Sequence, residues 1–70
     1  MQEVRKVTKF DRITFDENIM NGQACIRGMR ITVSLILNLI ANNKSFDDII
    51  QDYPYIKIED IRQSLKYAAF

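Results

Sequence analysis

Thr32-Val33-Ser34-Leu35-Ile36-Leu37-Asn38-Leu39-Ile40-Ala41-Asn42, then Ser45-Phe46-Asp47-Asp48-Ile49-Ile50-Gln51-Asp52-Tyr53-Pro54, is the stretch that decides the fold. In its first half the apolar positions leave only a polar stripe of Ser34, Asn38 and Asn42. Such a pattern predicts a helix over about 33–42 that neighbours cover on nearly every side, which places it at the centre of the core. Thr32 stands where its hydroxyl would accept a bond from an unpaired N–H of the first turn. Ser45, with Asp48 three residues later, imitates a capping box, and Phe46, Ile49, Ile50 and Tyr53 recur at i, i+3, i+4 and i+7. A second helix therefore runs over about 46–53 with Asp47, Asp48 and Gln51 outside. Pro54 ends it, because the residue before proline avoids helical φ/ψ.

Downstream, a tight connection through Lys57 leads to a third helix over about 58–69, whose Glu59 and Asp60 complement the positive end of its dipole. Ile61, Leu65 and Ala68 are expected on its buried side; Arg62, Gln63 and Lys66 are expected outside. Upstream, Ile13, Phe15 and Ile19 suggest a short strand running into a turn at Asp16-Glu17-Asn18. Asn21-Gly22 is a second turn, since both residues tolerate positive φ. Ala24 to Arg27 reads as the returning strand, broken by Gly28 where the backbone bends or approaches a neighbour closely. The expected fold is mostly α: a small N-terminal β-hairpin over 12–27, then a three-helix bundle whose last two helices form a helix-turn-helix. Residues 12–70 read as a single domain, preceded by a basic arm or edge strand over 1–11.

Composition narrows the functions open to such a domain. Seventy residues allow one domain with a thin core, and 47% hydrophobic against 27% charged residues is a globular balance. Ten Lys/Arg against nine Asp/Glu leave a net charge of +1, so any attraction to nucleic acid must come from local clustering. His is absent and Cys25 is the sole thiol, which removes disulfides, Cys/His metal sites, His bases and Ser-His-Asp triads. No catalysis, metal, cofactor or small-molecule substrate is expected. The run Leu35-Ile36-Leu37 is cut by Asn38, far short of a membrane span, and a cytoplasmic chain is expected. Cys25 reads as a small buried apolar residue.

The candidate sites are cationic or aromatic. Arg62, Gln63 and Lys66 on the outer side of the third helix are the best readers of bases or phosphates; the bland alternative is a solvated face with Glu59 and Arg62 paired at i, i+3. Lys57 at the start of that helix and the arm residues Arg5, Lys6 and Lys9 would add phosphate contacts, with Arg12 beside them. Glu59 and Asp60 count against this, because phosphates repel carboxylates in the first turn. Arg27 and Arg30 flank Gly28 and could form a fork for phosphate. The favoured alternative is structural, with one or both tied to Asp16, Glu17 or a helix C-terminus. Tyr55, Tyr67 and Phe70 are candidates for meeting a partner, Phe70 as an exposed anchor. Tyr53 and Tyr67 are otherwise expected in the core with their hydroxyls at its rim.

Several stretches stand together in one order: Arg12-Ile13-Thr14, Gly22, Ile26-Arg27-Gly28-Met29-Arg30-Ile31-Thr32-Val33, Asp52-Tyr53-Pro54 and Glu59-Asp60-Ile61 leading to Leu65-Lys66-Tyr67-Ala68-Ala69. Over residues 12–69 this resembles the bacterial domain-of-unknown-function family 433. The resemblance implies a homeodomain-like helix-turn-helix behind a small β element, and likeness to VapB-type antitoxins encoded beside a PIN-like ribonuclease toxin. Met29 stands where Thr is usual, Thr32 where Pro is usual, and Lys57-Ile58 where a Thr-Pro pair commonly caps the third helix. The resulting expectation is a homodimeric antitoxin-like protein that binds a PIN-like toxin and its own operator DNA, autorepressing its operon. The alternative is a protein-interaction or assembly module without DNA binding, which the near-neutral charge favours.

Overall fold

The computed structural model describes residues 10–69, so the candidates Arg5, Lys6, Lys9 and Phe70 lie outside the described residues. Two short strands, β1 (Ile13–Thr14) and β2 (Cys25–Ile26), pair antiparallel with Ile13 opposite Ile26 and Thr14 opposite Cys25. Between them the expected turn closes as an Asx-turn: the Asn18 N–H donates to Asp16 Oδ1 at 2.9 Å and the Ile19 N–H to the Asp16 carbonyl at 2.8 Å. Asn21 and Gly22 take φ of 59° and 82°, and Met20 joins them at 52°, so the second turn is one residue longer than the sequence signal.

A second reversal follows at Arg27 and Gly28, where φ is 45° and 75°. Two successive positive-φ residues are what a tight primed hairpin turn needs. The Met29 N–H closes it on the Ile26 carbonyl at 2.8 Å, and the Ile26 N–H donates to the Ile31 carbonyl at 2.9 Å. A Cβ on Gly28 would meet nothing within 4 Å, so glycine serves the bend here and not a close approach. β2 is thus flanked by β1 on one side and by residues 31–33 on the other, with Cys25 bridging Thr32.

Three helices follow: α1 (Val33–Ala41), α2 (Phe46–Asp52) and α3 (Ile58–Ala69). Thr32 caps α1 by accepting from the Leu35 N–H at 3.0 Å. Ser45 and Asp48 form the full reciprocal box on α2, at 3.0 and 3.2 Å. Between these helices Asn43 adopts φ 69°, its N–H donating to the Ile40 carbonyl and that of Lys44 to the Leu39 carbonyl, both at 3.0 Å. This is a Schellman ending, built on Asn in place of the usual Gly.

Ile13, Ile26, Ile31, Val33, Ile36, Ile49, Ile56 and Ile61 form one buried cluster drawn from the hairpin, the turns and all three helices. Ile56, in the connection that leads to α3, is almost fully enclosed as the segment after Pro54 folds inward. Three expectations need correcting. α1 touches both other helices but is not covered all round: only Val33 and Ile36 are buried, while Leu35, Leu37, Leu39 and Ile40 stay half-buried. So small a chain does not supply enough neighbours to enclose a helix apolar on nearly every side. On α3 the buried residues are Asp60, Ile61 and Ser64; Leu65 is 37% exposed and Ala68 is exposed. An acid drawn inward rotates the helix away from the stripe that hydrophobicity alone predicts. Tyr53 and Tyr67 are half-buried, at the edge of the core and not inside it.

Candidate functional site

Asp60 is the centre of the polar architecture. It is the third residue of α3 and its side chain is wholly removed from solvent. Three elements send donors to it. Arg12, just before β1, gives Nη1 to Oδ1 at 2.9 Å; Arg27, in the tight turn after β2, gives Nε to both oxygens at 3.2 and 3.3 Å and Nη2 to Oδ2 at 2.9 Å. The Lys57 N–H closes the helix start on Oδ2 at 2.9 Å. Burial by itself would push this carboxyl up, but the hydrogen bonds from Arg27, the Lys57 amide and Arg12, with the charge of Arg27, hold it below its ordinary value. The same contact raises the Arg27 guanidinium above its usual value, through its hydrogen bond to Asp60 against the opposing effect of desolvation.

The structural alternative for Arg27 is therefore what the geometry supplies, with a different partner: not Asp16, Glu17 or a helix C-terminus, but an acid at a helix N-terminus. Arg27 Nη2 also donates to the Tyr55 carbonyl at 2.6 Å, which ties the α2–α3 turn to the hairpin. Gln63 is occupied as well. Its Oε1 accepts from the Arg12 N–H at 3.0 Å and its Nε2 donates to Asp11 Oδ1 at 2.8 Å, so α3 clasps the chain where β1 begins. Arg27 and Gln63 belong to the internal framework, and neither presents a free head group to a nucleic acid.

Arg62 and Lys66 do stand on the exposed side of α3, and Lys57 is exposed at its start. Arg62 lies 3.7 Å from Glu59, a long solvent-facing pair of little strength. Of the two acids that opposed phosphate in this first turn, Asp60 is turned inward and neutralised, leaving only Glu59 on the outer face. Tyr67 packs at the far end of α3, edge-on to Phe10 at 5.6 Å and tilted against Phe15 at 6.0 Å between ring centres. Phe15 itself is 58% exposed. Tyr55 is exposed, and Arg30 is exposed on the segment between the tight turn and α1. The structure does not bring Arg30 together with Arg27 as a fork, because Arg27 is spent on Asp60. Cys25 is buried, and that burial pushes its thiol up despite the nearby charge of Arg30. Among the described residues no group of three or more Cys, Asp or Glu side chains is arranged to hold a metal, and no helix is long and apolar enough to cross a membrane.

Arg12, Arg27 and Asp60 are three of the residues that carry the sequence resemblance, and they meet in one cluster. A family model described as a protein of unknown function, DUF433, matches residues 13–68. The chain belongs to the DUF433 family. A crystal structure of a DUF433 member from Anabaena variabilis superposes with a TM-score of 0.76 at 22% identity, covering 96% of this chain and 73% of that one. At that identity the likeness shows the fold alone. No curated protein matches the chain. Sequence reasoning located the DUF433 signature but missed that its ionic residues converge; Asp60 at the third helical position, four residues before a small Ser64, was the available signal.

Proposed function

We propose that this DUF433 protein is a cytoplasmic, non-catalytic, homodimeric antitoxin-like regulator. It holds a PIN-like ribonuclease toxin and binds its own operator DNA through α3, repressing its operon. The observation that carries the DNA half is the outer face of α3: Arg62, Lys66 and the preceding Lys57 are exposed, whereas the Asp60 charge is withdrawn into the framework. A recognition helix needs its first turns free to approach a groove, and one remaining acid beside Arg62 is a tolerable cost. Phosphate contacts are the role that suits two flexible cations without a fixed planar partner.

A second reading, an interaction or assembly module without DNA binding, is favoured by the half-buried leucines of α1 and the exposed Phe15, together with the occupied Gln63. Fluorescence anisotropy with the upstream DNA of the gene at low and moderate salt decides between them. A dimer using Arg62 and Lys66 from each protomer should show a log–log salt slope of about −3.6. Arg62→Ala should reduce that slope by about 2, one contact per protomer. Absent or sequence-blind binding rejects the operator role and leaves the interaction module. Light scattering on the purified chain tests the dimer.

A further inference from the structure

An open groove of about 520 Å³ lies between residues 28–31 and the α2–α3 turn, with Leu35, Tyr53 and Tyr55 completing its walls. This volume falls within the range of about 300–1,000 Å³ typical of binding sites. Met29, Ile31, Leu35 and the two tyrosine rings make it mainly apolar, and among the described residues Arg30 is its only charged lining residue. The Arg30 guanidinium has no hydrogen bond or ion pair among the described residues. Both walls are fixed by one side chain: Arg27 sits in the tight turn that leads into Gly28 and Met29, and its Nη2 holds the Tyr55 carbonyl and Asp60 together. Such a trough is preorganised, so an occupant does not have to order it.

We propose that this groove docks a segment of a partner protein presenting a large apolar or aromatic side chain next to a carboxylate. The proposal rests on the reading that the chain holds a protein partner. Charge complementarity selects the occupant: an unpaired cation on an apolar wall, with no acid among the described lining residues, favours a carboxylate beside the apolar group. The openness of the trough selects a side chain delivered by a larger body over a free small molecule, which needs a concave site that encloses most of its surface. No residue of α3 lines the groove, so partner docking and the proposed operator contact use separate residues.

The test pans a phage-displayed library of random octapeptides on the full chain, with Arg30→Glu as a second target. The expected result on the natural chain is enrichment of an aromatic or large aliphatic residue within two positions of Asp or Glu. On Arg30→Glu the acid should give way to Lys or Arg. A synthetic peptide of the winning sequence should bind Arg30→Gln about tenfold more weakly and should shift the amide resonances of Gly28, Met29 and Tyr55. Failure to enrich any motif, a motif without an acid, or a motif unchanged by Arg30→Glu overturns the proposal. The 3-phenylpropanoate ion carries the same chemistry as a free molecule, and its binding as tightly as the peptide would overturn the assignment to a protein segment. Thermal melts check that both Arg30 variants are folded. Operator binding, measured on the natural chain alone, keeps the two failures apart: DNA binding without peptide selection sinks only the groove, and peptide selection without DNA binding sinks only the operator role.

Discussion

Asp60→Asn keeps the shape of the central side chain and removes its charge, which makes it the most informative single change. The native carboxylate accepts from Arg12, from both Nε and Nη2 of Arg27, and from the Lys57 amide, with no solvent exposure of its own. An amide cannot accept on both sides, so its NH₂ group would face at least one guanidinium. Breaking a buried pair by removing one partner costs about 3–5 kcal/mol. The lower end applies here, because the Arg12 and Arg27 side chains retain 30% and 34% exposure and can rehydrate when released. About 3 kcal/mol is a large share of the stability of a 70-residue chain, which at the usual per-residue value totals about 3.5–10 kcal/mol. The midpoint of a thermal melt followed by circular dichroism should fall by about 12–24 °C.

The pH dependence carries its own sign. The folded-state pKa of Asp60 is held below its ordinary value, so its contribution is complete above the unfolded pKa of about 4 and is lost as pH falls through the folded value. The stability gap between the natural chain and Asp60→Asn should therefore shrink on acidification below about pH 4. Urea titrations of both proteins across that range measure it. A gap under about 0.5 kcal/mol at neutral pH, the level of an ordinary surface change, would refute the view that this cluster holds hairpin to helix. So would a gap that stays constant on acidification.

Other outcomes follow from local geometry. Ser45→Ala, which removes one half of the reciprocal cap on α2, should cost about 1 kcal/mol in urea unfolding and should loosen amide exchange in the first turn of that helix. Gly28→Ala should also cost about 1 kcal/mol, from its φ of 75° alone, since the open space around it predicts no steric penalty and no change in the apolar core seen by methyl NMR. Ile36→Ala, in a fully enclosed site, should cost about 2–5 kcal/mol, whereas Leu65→Ala on the exposed side of α3 should cost much less; equal losses would contradict the rotation of that helix.

What the sequence determined by itself is the local grammar. Thr32, the Ser45–Asp48 pair, Pro54 and the Asn21-Gly22 turn set where elements start and stop, because caps, proline and positive φ act within four residues and need no distant partner. Helical periodicity likewise sufficed for Ile36, Ile49 and Ile61. Only the tertiary structure decided which side of α3 faces inward, since that depends on Arg12 and Arg27 arriving from 48 and 33 residues away to neutralise an acid that apolar counting leaves outside. The same convergence removed Arg27 and Gln63 from the free cationic and polar surface, freed the outer face of α3 of one carboxylate, and set the two walls of the groove in place. Local signals fix torsions, whereas burial of charge is a property of several segments at once and becomes visible only when they meet.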